Sequence, residues 1–247
     1  MNFLFFKGLF YQLYRFITLI PIYIKFKNNP DKYTLEDKFK VINNHTKKSL
    51  EFCKIKLNIS GHENIPDGNV LFVANHANWI DAFILVSVID RPCGMVIAKE
   101  ANWEKLSFIK DWTNMLNCIY IDRKNNRNAL ESINKASHLL TETCSIGVFP
   151  EGIVTKSDEI FPFRDGAFRM AVKSQVPIVP IYIKNSKDIL VLTSRWTGKA
   201  YSKEIDVEIL EPVYNHITNS KIKTKEVSTI VRNKFINSNN TLSEFIL

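Results

Sequence analysis

The sequence predicts an α/β protein with a largely parallel central sheet flanked by helices, preceded by a helical segment that associates with membranes. Three observations carry this. Short, uniformly apolar runs such as Val70-Leu71-Phe72-Val73-Ala74 recur along the chain, and a strand covered on both faces requires such a run. They alternate with longer stretches of helical periodicity, the pattern of strands joined by crossover helices. The first quarter of the chain differs from the rest in being apolar, aromatic and strongly basic.

Composition narrows the classes. With 247 residues, 45% of them hydrophobic, the chain can bury the core of one compact domain with a modest appendage. Only 8 Gly and 9 Pro exclude collagen-like and low-complexity chains. No second long apolar run follows the N-terminal one, which excludes a polytopic membrane protein. Residues 1–60 hold eleven Lys/Arg against four acids and so carry +7 of the formal +8. The remaining residues are nearly neutral. That asymmetry points to an anionic surface such as lipid headgroups. Nucleic acid is not expected as a partner, because its recognition calls for basic residues interleaved with stacking aromatics over the fold itself. Cys53, Cys93, Cys118 and Cys144 form no CxxC or Cys/His cluster. No metal site is predicted, and free, mostly buried thiols are expected.

Residues 3–24 are apolar and aromatic, interrupted by Lys7, Gln12 and Arg15. On a helix, Lys7, Tyr11, Tyr14, Arg15 and Thr18 share one face, and Phe6, Phe10, Leu13, Ile17, Ile20 and Ile24 line the other. Followed by Lys25 and Lys27, this reads as an anchor lying in the membrane interface. A tilted single span and a helix packed against the domain are the rivals; a signal peptide lacks its cleavage site. Residues 32–53 form a second helix with Leu35, Phe39, Ile42 and Thr46 on one stripe. The expected division is therefore a membrane-associating segment over 1–53 and one domain, large enough for a catalytic one, over 54–247.

Within that domain, strands are expected at 55–59, 70–74, 95–98, 118–122, 145–149, 178–183 and 205–210. Helices are expected at 80–89, 126–141, 165–174 and 224–235. Functional groups in such sheets gather beyond the carboxyl ends of strands, and four polar segments sit there. Asn75-His76-Ala77-Asn78-Trp79-Ile80-Asp81 follows the second strand. His76 and Asp81 do not share a face of a regular helix, so their pairing needs an irregular turn. Given that turn, Asp81 accepts one imidazole N–H and leaves the other nitrogen as a base. The competing reading is a capping loop in which Asn78 caps and His76 is merely half-buried. Tyr120-Ile121-Asp122-Arg123 ends another strand with a planar fork for phosphate or carboxylate. Phe149-Pro150-Glu151-Gly152 follows a third. Val176-Pro177-Ile178-Val179-Pro180 frames a fourth.

In this order and spacing the four segments resemble those of the glycerolipid acyltransferase family, over about residues 60–185. His76 and Asp81 match its His-x4-Asp motif, and Phe163-Arg164-Asp165-Gly166-Ala167-Phe168 is similar to its basic Gly-Ala segment. The resemblance implies acyl transfer from acyl-CoA or acyl carrier protein to the hydroxyl of a lyso-lipid, lysophosphatidate in the best-known case, with no cofactor. It implies a membrane-associated enzyme on the cytoplasmic face. His76 is then the base and Asp81 its partner; Arg123 holds the acceptor phosphate, and Glu151 with the Gly152 backbone positions its glycerol. Two departures stand out. The second block begins at Asn117 where the family has Gly. The third reads Glu151-Gly152-Ile153-Val154-Thr155, without the family's arginine at 154, so Lys156 becomes the substitute cation. That loss favours the alternative acceptors: another lysophospholipid, a lyso-ornithine-type lipid or glycerol 3-phosphate.

Overall fold

The computed structural model describes residues 3–187 and 203–245. The side chains of residues 3–10, 12, 13, 16, 203 and 240–245 lie outside that description, and with them the predicted facing of Phe6, Lys7, Phe10 and Leu13. Seven strands, β1 (Ile55–Ser60), β2 (Leu71–Ala74), β3 (Cys93–Ala98), β4 (Ile119–Ile121), β5 (Ser145–Val148), β6 (Ile178–Ile183) and β7 (Lys203–Ile209), form one sheet. Their order is β1-β7-β6-β2-β5-β3-β4. Every pairing is parallel except β6 with β7. The carboxyl ends of β2 to β6 therefore share one end of the sheet. β1 and β7 run the other way, so β1 begins at that same end.

The helices are α1 (Phe3–Asn28), α2 (Leu35–Phe52), α3 (Asp81–Val88), α4 (Ser107–Met115), α5 (Asn126–Glu142), α6 (Arg169–Ser174), α7 (Asn215–Thr218) and α8 (Thr224–Phe245). Alternation along β2 splits the core as a pleated strand must. Val70, Phe72 and Ala74 join the layer under α2 and α3. Leu71 and Val73 join the layer under α5, α6 and α8.

Two expectations shift, and one helix is new. The second helix starts at Leu35 rather than 32, because Thr34 and Asp37 form a reciprocal capping box and the preceding Pro30–Lys32 makes a 3-10 turn. The stretch 165–174 divides into a 3-10 turn, Asp165–Phe168, and the short α6. α4 had no counterpart in the sequence reading. It is nine residues long and lacks a side-chain cap, and what orders it is Trp112, buried against Leu19 and Phe26 of α1.

The N-terminal segment is continuous with the domain. Phe39 and Leu50 of α2 belong to the core. α1 is joined to α4 by that aromatic cluster, by Lys27 paired with Asp111 at 2.8 Å, and by the Tyr23 hydroxyl donating to the same carboxylate. The opposite side of α1 has no such partner among the described residues: Ile17, Ile20 and Ile24 are exposed. No helix among the described residues is long and apolar enough to cross a membrane.

The Asn117 departure also has a local explanation. Its φ is 57°, a left-handed conformation that glycine adopts freely and asparagine tolerates better than most residues.

Candidate active site

The turn from β2 into α3 brings the first pair together. His76 Nδ1 lies 3.3 Å from Asp81 Oδ2, with Asp81 fully buried. Asn78 N–H donates to the same Oδ2 at 2.7 Å, and Ile80 N–H donates to Asn78 Oδ1 at 3.2 Å. Asn78 thus shapes the entry turn and does not cap α3, whose N-cap residue, Ile80, has no side-chain cap. Phe149, at the end of β5, stacks on the imidazole with centroids 4.1 Å apart and planes 18° apart. Trp79 meets it edge-on at 6.4 Å. Held on these sides, the ring directs Nε2 away from Asp81, and Nε2 has no hydrogen bond among the described residues.

Glu151 supports this turn from the β5 side. Its carboxylate accepts His76 N–H at 2.8 Å and Phe161 N–H at 3.3 Å. At 5% exposure its oxygens face the protein, not an open cleft. Burial raises its pKa above the usual carboxylate value, against the opposing pull of those two N–H donors. Thr155 holds the other side of the histidine, its N–H donating to His76 C=O at 2.8 Å. Asn75 locks the end of β2 to β6, donating to Ile183 C=O at 2.9 Å and accepting Ile183 N–H at 2.8 Å.

Arg123 follows β4, two strand positions away from β5, or about 10 Å across the sheet. It reaches back to donate to Gly152 C=O. Gly152 N–H donates to Phe149 C=O at 3.1 Å, so both backbone groups of Gly152 are engaged within the protein. At φ 75° the position suits glycine. Lys156 is exposed, with a left-handed φ of 54° and no ion pair among the described residues. The structure therefore gathers His76, Asp81, Glu151, Gly152 and Arg123 around one set of turns, with Lys156 next to Thr155 at the rim.

Sequence reasoning missed the parts played by Phe149, Thr155 and Asn75, and it left Arg164 unassigned. Asn75 carried a signal, a polar residue in a run otherwise suited to burial. Phe149 and Thr155 carried none, because their partner is His76 more than seventy positions away.

A histidine held by a buried carboxylate just past a parallel strand is an arrangement able to take a proton from a bound hydroxyl. A family model described as "Acyltransferase" matches residues 56–184, just over half of the chain, and the protein belongs to that family. Over 192 residues it is 28% identical to a probable 1-acyl-sn-glycerol-3-phosphate acyltransferase of Mycoplasma pneumoniae, covering 72% of this chain and 71% of that one. It is 30% identical over 161 residues to the human 1-acyl-sn-glycerol-3-phosphate acyltransferase alpha, 64% of this chain and 55% of the human one. The chain thus spans about half the length of its human relative. The fold is similar to the crystal structure of the 1-acyl-sn-glycerophosphate acyltransferase from Thermotoga maritima, with a TM-score of 0.64 and 22% identity over 81% of this chain and 79% of the other.

Proposed function

We propose that the protein transfers a fatty acyl group from a thioester donor, acyl-CoA or acyl carrier protein, to the free hydroxyl of lysophosphatidate at a membrane surface, forming phosphatidate. The His76–Asp81 pair with its unengaged Nε2 carries this reading, in a chain whose relatives bear the name of that activity. His76 Nε2 takes the hydroxyl proton as the oxygen attacks the thioester carbonyl. Asp81 keeps the proton on Nδ1 and stabilises the imidazolium. The tetrahedral intermediate collapses, the C–S bond breaks, and the leaving thiolate receives the proton from His76. No serine or cysteine nucleophile takes part, so no acyl-enzyme accumulates. Glu151 acts here as a positioning residue for His76, and Arg123 as a cation for the acceptor phosphate.

The membrane contact rests on α1. Tyr11 stacks on Phe52 at 3.6 Å, at the end of α2 that leads into β1, which is the end of the sheet bearing His76. The exposed Ile17, Ile20 and Ile24 stripe suits a helix lying in the headgroup layer on the cytoplasmic face, with lysines beside it.

The test is acyl transfer from a thioester donor to lysophosphatidate, beside other lyso-lipids and glycerol 3-phosphate, with His76→Ala as the blank. A preference for lysophosphatidate that His76→Ala abolishes supports the reading. A His76→Ala protein that keeps most of its activity overturns the assigned base.

A further inference from the structure

A second arginine stands beside Arg123, brought there by a different part of the chain. Arg164 N–H donates to Pro150 C=O at 2.8 Å, which fastens the segment before the Asp165–Phe168 turn to the Pro150–Gly152 turn. Its side chain then folds over Gly152. The point that a β-carbon on Gly152 would occupy lies 2.6 Å from Arg164 Nε and 3.2 Å from an Arg123 terminal nitrogen. The two guanidinium groups therefore approach within about 6 Å of each other, over a residue with no side chain to separate them.

Neither arginine has an ion-pair partner among the described residues. Glu151, one residue away, has both oxygens engaged by His76 and Phe161 N–H groups. Glu100 acts on Arg123 with opposite sign, but burial and the charge of Arg164 act against it. Two like charges held this close repel, with Arg123 half-buried and Arg164 open to solvent on its outer side. The arrangement becomes favourable when an anion accepts donors from both, and a dianion gains more than a monoanion.

We propose that Arg164 and Arg123 together form a clamp for a terminal phosphate monoester, and that Arg164 thereby sets the preference for a dianionic headgroup over a phosphodiester. This rests on the acyl-transfer reading for the identity of the ligand, the acceptor's phosphate. The placement agrees with that chemistry: the clamp sits over Gly152, while Phe149 and Glu151 of the same turn contact His76. A phosphate seated there leaves the acceptor's glycerol to extend toward Nε2.

The experiment uses the full chain and the variants Arg164→Ala and Arg164→Lys, with circular dichroism as a check on folding. Arg164→Ala is expected to raise the KM for lysophosphatidate at least tenfold while the donor KM stays within twofold. Its preference for lysophosphatidate over a lysophosphodiester shrinks by a similar factor. Inorganic phosphate, as a competitive inhibitor, weakens in parallel, and Arg164→Lys recovers part of the loss. An acceptor KM within twofold of wild type overturns the clamp. So does a fall in kcat with both KM values unchanged, the signature of loop support alone. If the wild-type protein acylates no lysophosphatidate, the proposed function fails instead, and the clamp is then read from inorganic phosphate alone. A phosphate-induced rise in melting temperature that Arg164→Ala removes sustains it, and no rise in the wild type overturns it.

Discussion

Replacing Asp81 by Asn separates the charge of the His–Asp pair from its shape. The amide oxygen can take the place of Oδ2 and still accept the Asn78 N–H now held at 2.7 Å, so the turn into α3 is expected to persist. What disappears is the negative charge 3.3 Å from His76 Nδ1. Two unit charges at that separation attract by about 5 kcal/mol at an effective dielectric near 20. The imidazolium forms only as the acceptor hydroxyl is deprotonated, so the loss falls on the transition state and not on substrate binding. The expected result is a fall in kcat of roughly 10³–10⁴ with both KM values nearly unchanged. Release of the donor thiol, followed continuously, measures it, and a melting curve checks the fold. An Asp81→Asn protein that keeps more than about a tenth of the wild-type kcat would refute the electrostatic argument.

Two further predictions concern the frame of the site and of the N-terminal helices. Glu151→Ala leaves the His76 and Phe161 N–H groups without their acceptor, at a cost of about 1–3 kcal/mol each. A lower melting temperature and a reduced kcat are expected with the acceptor KM little changed; a tenfold rise in that KM with stability intact would return Glu151 to the substrate role suggested by its motif. His45 in α2 is buried, and desolvation, aided by the Arg15 charge, pulls its pKa from 6.5 down to about 4. A histidine depressed on folding stabilises the protein above its unfolded pKa and loses that contribution as pH falls. Stability on the order of 3 kcal/mol is therefore expected to drain away between about pH 6.5 and pH 4. Thermal melts of wild type and His45→Gln across this range measure the effect, and identical slopes for the two proteins would contradict it.

Much of the architecture was legible in the sequence because it depends on local burial. The runs that became β2 and β6 carry no charged residue and are apolar almost throughout, as a strand covered on both faces requires. The Leu35, Phe39, Ile42 and Thr46 stripe of α2 follows from helical spacing alone. α4 was not legible, since its short, uncapped sequence becomes helical through Trp112 packing on Leu19 and Phe26 of α1, and that contact joins residues about ninety positions apart.

The same distinction runs through the site. By itself the sequence determined which residue types stand beyond which strand ends: His76 and Asp81 after β2, Arg123 after β4, Glu151 and Gly152 after β5. Parallel strands that share a direction carry those segments to one end of the sheet. Only the tertiary structure decided what each side chain does there. Glu151 turns inward to two backbone N–H groups, and both backbone groups of Gly152 are engaged within the protein. Arg164, fastened through Pro150, comes to lie beside Arg123. Local pattern fixes burial and secondary structure one residue at a time, whereas the direction of a side chain at a strand end depends on sheet register and on the loops packed over it, and those are set by contacts between distant parts of the chain.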